Sequence, residues 1–277
     1  MRTADRRIAL GLYRTGPTRH LLEGALEQGV TDLDTAFNYH HFASHRTLAA
    51  IADDLLPSFT ISTKVGYFPD GHDLDPARLR AAVERSAEEL GRTPDTVLLH
   101  NPESSVGGFA DACVVLREMC EAGFCKTWGL STWDPRSLLA ADWEIPCPDV
   151  AMVRAGLTVP VGILEAVDEL VDRAQVTGLW GMAPFAGNAD DSIWQTVDTS
   201  TFLVSGQQCS ALQAGVAAAF AIPEVTRLAV GTTDIEHLAE AVGGSQLEVN
   251  TETVTAYRAL LRERATVSAG VPSRKDH

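Results

Sequence analysis

The stretch FTISTKVGYFPDGHDLDPARLRAAVERSAEELGRTPDTVLLH (residues 59–100) holds a complete strand–helix–strand unit. Its two ends, FTISTK (59–64) and TVLLH (96–100), are apolar or β-branched runs of strand length. Between them Leu79, Val83 and Leu90 mark one helical face. Asp75 stands as N-cap, Pro76 opens the first turn and Gly91 closes the last. Each strand finishes on a polar residue, Lys64 or His100.

The alternation continues in both directions. IALGL (8–12), VTDLD (30–34), KTWGLS (126–131), DVAMVR (149–154), GLWGMA (178–183) and RLAVG (227–231) complete a set of eight expected strands. Helical spacing recurs at Phe109, Cys113, Leu116 and Cys120 up to Gly123, and at Leu164, Val167 and Val171 before Gly178. Eight alternating units form either a doubly wound open sheet or a (β/α)8 TIM barrel. No Gly-x-Gly-x-x-Gly follows the first strand, so the phosphate-binding turn of the open sheet is missing. Asp34, Lys64, His100, Ser131 and Arg154 fall at or near strand ends, where barrels assemble their sites. The α/β (β/α)8 TIM barrel is therefore the expected fold, with residues 1–277 as one domain and about 268–277 as a flexible tail. The aperiodic stretch 184–210 is expected to be a long loop with a short helix, lying over the site.

Composition narrows the functional classes. A hydrophobic fraction of 45% with 21% charged residues suits a globular core. A net charge of −15 and a pI near 4.9 argue against nucleic acid and anionic membranes as partners. Five cysteines, odd in number and without a Cys-x-x-Cys pair, suit a reducing cytoplasm. No signal-like or bilayer-length apolar run occurs, so a cytoplasmic location is expected.

Brought to one pocket, the strand ends supply a carboxylate (Asp34), an ammonium (Lys64) and an imidazole (His100), with the phenol of Tyr39 close behind Asp34. A cation beside a phenol stabilises the phenolate and brings its pKa toward the working range. Asp34 would hold Lys64 charged, and His100 would share a hydrogen bond with an oxygen opposite Tyr39. The plainer reading of Asp34 with Lys64 is a structural ion pair. Four such groups on successive units favour proton transfer to an oxygen.

TDLDTAFNYHH (31–41), STKVG (62–66), LLHNPE (98–103) and WGLST (128–132) together resemble the aldo-keto reductase family. The resemblance runs from LGLY (10–13) to VGTTDIEHLAEA (230–241). It implies a catalytic tetrad of Asp34, Tyr39, Lys64 and His100 in an NAD(P)-dependent oxidoreductase. The reaction would be hydride transfer between NADP(H), or alternatively NAD(H), and a small-molecule carbonyl or alcohol substrate, without a metal. Cofactor contacts are implied at Gly11, Leu12, Ser131, Thr132, Gly231, Thr232, Thr233, His237 and Glu240.

The sequence departs from the family pattern at several of these places. Thr132, Met152 and Met182 stand where an Asn, a Gln and a stacking aromatic are usual, and His237 and Ala241 replace an Arg and an Asn. A neutral imidazole grips a phosphate less well than a guanidinium fork. These departures motivate a redox-neutral dehydratase, isomerase or cyclase as the alternative; a non-catalytic ligand-binding barrel ranks last. His40, His41 and His45 lack the i, i+4 spacing and carboxylate of a His-Glu-x-x-His zinc site, which leaves a pocket or surface role. Arg154 either holds a substrate carboxylate or, as the commoner arrangement, pairs with Asp149 or Glu165.

Overall fold

The computed structural model describes residues 6–140, 143–188 and 191–270. The β-branched and leucine-rich runs become strands β1 (Arg7–Gly11), β2 (Asp32–Asp34), β3 (Thr60–Val65), β6 (Thr96–His100), β7 (Thr127–Thr132), β8 (Val150–Arg154), β9 (Gly178–Met182) and β10 (Arg227–Val230). A two-stranded hairpin, β4 (Tyr67–Phe68) and β5 (Gly71–His72), follows β3. The eight longer assignments close into a parallel barrel in the order β1-β10-β9-β8-β7-β6-β3-β2. Every expected strand takes its place in that ring.

The helices are α1 (Arg19–Glu27), α2 (Tyr39–Phe42), α3 (Ser44–Ala52), α4 (Pro76–Leu90), α5 (Phe109–Glu121), α6 (Arg136–Leu139), α7 (Val161–Ala174), α8 (Ile193–Thr196), α9 (Ala211–Ala219), α10 (Ile235–Ser245) and α11 (Thr251–Gly270). Helix α4 uses the caps read from its sequence: Asp75 accepts from the Arg78 amide, and Gly91 turns left-handed at φ 66°. Helix α7 stops earlier than Gly178, at a left-handed Gln175. No helix among the described residues is long and apolar enough to cross a membrane.

Between strands and helices lies the main core, with Leu10, Leu33, Ile61, Val97, Leu99 and Leu130 fully buried. Inside the barrel Ala9, Leu98, Val150, Met152, Trp180 and Ala229 fill the bore. At the amino-terminal end of the strands the bore is stoppered. Arg227 pairs with Asp32 at 2.8 Å, lies 3.8 Å over the Trp180 ring, and shares Asp32 with Arg7 at 3.5 Å. The open end is therefore the carboxyl-terminal one.

The stretch 184–210 contains the short helix α8 and a 3₁₀ turn at Thr199–Phe202, and it begins at the mouth, where the Pro184 carbonyl lies against Gly156 in the loop after β8, before reaching the outer helices. Phe185 sits against α9 at Gly215 and edge-on to Trp194, and Phe202 is edge-on to Tyr257 of α11. Its large apolar side chains go where apolar surface is available, on the outer helices. Of the stretch expected as a tail, residues 268–270 continue α11 and residues 271–277 lie outside the described residues.

Candidate active site

Strand β2 ends on Asp34, and the loop behind it is stitched to β3. The Thr35 amide donates to the Ser62 carbonyl and the Phe37 amide to the Lys64 carbonyl, each at 2.9 Å. This seam carries the chain across the mouth and sets Tyr39 above Lys64. The turn that follows is unusual: His40, His41 and Phe42 all have positive φ, at 51°, 55° and 64°. Such left-handed residues cost on the order of 1–2 kcal/mol each outside glycine. His40 helps hold the turn, its Nε2–H reaching the carbonyls of Thr15 at 2.9 Å and Leu12 at 3.3 Å. The Tyr13 ring completes the seat, 5.2 Å from that of Tyr39.

Lys64 is the hub. Its ammonium, 2% exposed, donates to Asp34 Oδ2 at 2.6 Å and to the Thr35 carbonyl at 3.0 Å, and it lies 3.5 Å from the Tyr39 hydroxyl. Ser62 steadies the far oxygen of Asp34 at 3.1 Å. Burial pulls the ammonium's pKa down, but Asp34 and Tyr39 together outweigh it, so Lys64 keeps its proton. The phenol moves opposite to the sequence-based expectation. Burial raises its pKa, Lys64 only partly offsets that rise, and the charge of Asp34 adds to it. Tyr39 therefore holds its proton.

His100 ends β6 beside this group, its ring edge-on to Tyr39 at 5.9 Å. Burial, with Lys64 and His72 adding to it, holds its pKa well below the usual histidine value, so the imidazole is neutral. The β4–β5 hairpin, which the strand reading missed, props it: Nε2–H of His72 donates to the His100 carbonyl at 2.8 Å, and the Tyr67 ring lies 5.0 Å away. The Pro-Asp-Gly at 69–71 is the turn signal that could have found it.

The other expected site residues separate into groups. Gly11 ends β1 in register with Asp34, and the buried Leu12 lends its carbonyl to His40. Ser131 lies in register with His100, and its buried Oγ has no partner. Thr132, one residue on, turns to the opposite side of the strand, toward the carboxylate of Glu103. Glu103 itself accepts from the Trp133 and Asp134 amides and shapes that rim. Gly231, Thr232 and Thr233 form the turn into α10, with Gly231 and Thr233 exposed and Thr232 half-buried; Asp234 caps the Glu236 amide, and His237 and Glu240 follow on the helix.

The three histidines do not share a site. His41 is exposed, His40 is tied to the β1 loop, and His45 is buried in α3 with Nε2 2.8 Å from the Thr63 hydroxyl. A pocket or surface role is thus corrected for His45, whose pKa burial pushes down to about 4. Among the described residues no group of three His, Cys, Asp or Glu side chains is arranged to hold a metal. The expected pairs for Arg154 are also corrected: Asp149 caps the Trp128 amide, and Glu165 pairs with Arg262.

The model of the aldo/keto reductase family matches residues 12–160, more than half of the chain. No curated protein matches the sequence. Among solved structures, an aldo-keto reductase from Bacillus halodurans in its holo form superposes with a TM-score of 0.70 at 17% identity, covering 92% of this chain and 91% of that one. An aldo/keto reductase from Klebsiella pneumoniae in complex with NADP and acetate gives 0.68 at 18% identity, with 97% and 93% covered. A candidate aldo-keto reductase from Pseudomonas aeruginosa gives 0.64 at 25% identity, with 86% and 89% covered.

Proposed function

The chain belongs to the aldo/keto reductase family, and from that premise we propose that it is a nicotinamide-dependent reductase of small carbonyl compounds, or the corresponding alcohol dehydrogenase. The observation that carries this reading is the buried Lys64 ammonium, held between Asp34 at 2.6 Å and the Tyr39 hydroxyl at 3.5 Å. A bound nicotinamide nucleotide would supply the hydride that the carbonyl carbon accepts. Tyr39 gives its proton to the carbonyl oxygen, and Lys64 stabilises the phenolate left behind. Asp34, fixed by Ser62, keeps Lys64 charged and aimed. Neutral His100 donates a hydrogen bond to the same oxygen and positions the carbonyl before transfer.

The residues at the mouth fit such a nucleotide. The unpartnered Oγ of Ser131, one strand from His100, suits a carboxamide. Gly11 and Leu12, with Gly231, Thr232, Thr233, His237 and Glu240, line the rim that its diphosphate and ribose would follow. NADP(H) is the form the family resemblance implies. The first turns of α10, however, carry Asp234, Glu236 and Glu240 and neither Arg nor Lys between 231 and 245, so charge alone favours NAD(H) there.

Fluorescence titration with NADPH and NADH, paired with carbonyl reduction by Tyr39→Phe, tests this. The expected result is saturable binding of at least one nucleotide, with reduction in the variant lowered about 10²- to 10⁴-fold. Failure of both nucleotides to bind overturns the reading.

A further inference from the structure

The mouth of the barrel holds a cation that the proton-transfer group does not use. Arg154 ends β8 on the face that Val150 and Met152 present to the bore. Its guanidinium carbon lies over the exposed indole of Trp133, 4.8 Å from the ring centroid. Among the described residues it makes no hydrogen bond, and no carboxylate lies within 4.0 Å. The acidic neighbours are otherwise engaged. Asp134 is gripped by Arg136 at 2.5 Å, and Glu103 accepts from two backbone amides. Burial pulls the Arg154 pKa down, and Asp134 only partly restores it. A half-buried guanidinium without a partner is a standing cost that a bound carboxylate would remove.

Its placement relative to the proton-transfer group is set by the register. His100 pairs with Ser131, and Ser131 with Met152. Arg154 stands two residues beyond Met152, one layer nearer the mouth, and two strands from His100, which is roughly 10 Å around the rim. We propose that Arg154, braced by Trp133, anchors the carboxylate of an anionic carbonyl substrate whose aldehyde or ketone group lies some atoms away beside Tyr39 and His100. The guanidinium fork matches a carboxylate in two parallel hydrogen bonds, and none of its N–H groups is engaged in a hydrogen bond to the described residues. On a chain of net charge −15 a local cation favours an anionic substrate at this point of the mouth.

The proposal rests on the reductase reading of the neighbouring site, so its test has two arms. In the first, kcat/KM is measured for para-carboxybenzaldehyde and benzaldehyde with the wild type, Arg154→Met and Arg154→Lys, after thermal melts establish that each variant folds. The wild type prefers the carboxylated aldehyde by about 10-fold or more; Arg154→Met removes that preference and Arg154→Lys restores part of it. In the second, calorimetry follows benzoate binding to the wild type, Arg154→Met and Tyr39→Phe, without turnover. Affinity falls about 10-fold or more in Arg154→Met and persists in Tyr39→Phe. If the reductase reading alone fails, neither aldehyde is reduced yet benzoate binding still depends on Arg154. If benzaldehyde is reduced while Arg154→Met changes neither selectivity nor benzoate affinity, the anchor is overturned.

Discussion

Tyr39 keeps its proton because burial outweighs the nearby ammonium, and the pH behaviour of the reaction follows from that sign. In the proposed mechanism reduction consumes the phenolic proton, so its kcat/KM is expected to stay level from neutral pH into the alkaline range. It falls only above the ordinary tyrosine value of 10.0. Oxidation of an alcohol needs the phenolate and rises over the same range; rate profiles in both directions check the pair. Lys64→Met removes the charge that opposes burial and raises the phenol's pKa further. It also strands Asp34 in the interior, at about 3–5 kcal/mol of stability, which urea unfolding measures. The residue types of this group were legible in the sequence, since strand-end polar residues in a barrel converge. Its supports, the Ser62 hydroxyl and the Thr35 carbonyl, were not. Nothing in a one-dimensional pattern tells which backbone oxygen an ammonium will find.

Helix α3 docks through His45, a neutral imidazole that is 1% exposed. Its pKa falls from an ordinary 6.5 to about 4 on folding, so between those values the unfolded chain binds more protons than the folded one. Stability is complete above about pH 6.5 and declines as pH drops toward 4, by roughly 3 kcal/mol at about 1.4 kcal/mol per unit. Urea unfolding at pH 7 and pH 4.5 reads this decline, and His45→Gln shrinks it; His100, also depressed, supplies much of what remains. Elements with local punctuation were the readable ones: α4 announced both ends through Asp75, Pro76 and Gly91. Where each of the three histidines ends up was not legible from their spacing. A left-handed turn at His40, His41 and Phe42 sends the three imidazoles apart, and no residue in it is the glycine that would have signalled such a turn.

Barrel closure depends on how near the strands can approach. At Gly129 an added methyl group would lie 2.0 Å from the Val150 carbonyl oxygen, so Gly129→Ala must push β7 away from β8. The expected cost is about 3 kcal/mol or more, read as a lowered urea midpoint. Because Arg154 ends β8 and Ser131 is the last residue but one of β7, benzoate affinity should fall in the same variant even where it remains folded. The closed ring was legible from eight strand runs and their polar ends; the course of residues 184–210 was not, because only the finished surface shows where Phe185 and Phe202 can be buried. At the opposite end, Asp32, Arg227 and Trp180 close the bore without contributing to the mouth. A vessel sealed in this way keeps its integrity and its choice of guest in separate hands. Over generations the lip can be rewritten for new molecules while the base, untouched by those trials, goes on holding the staves together.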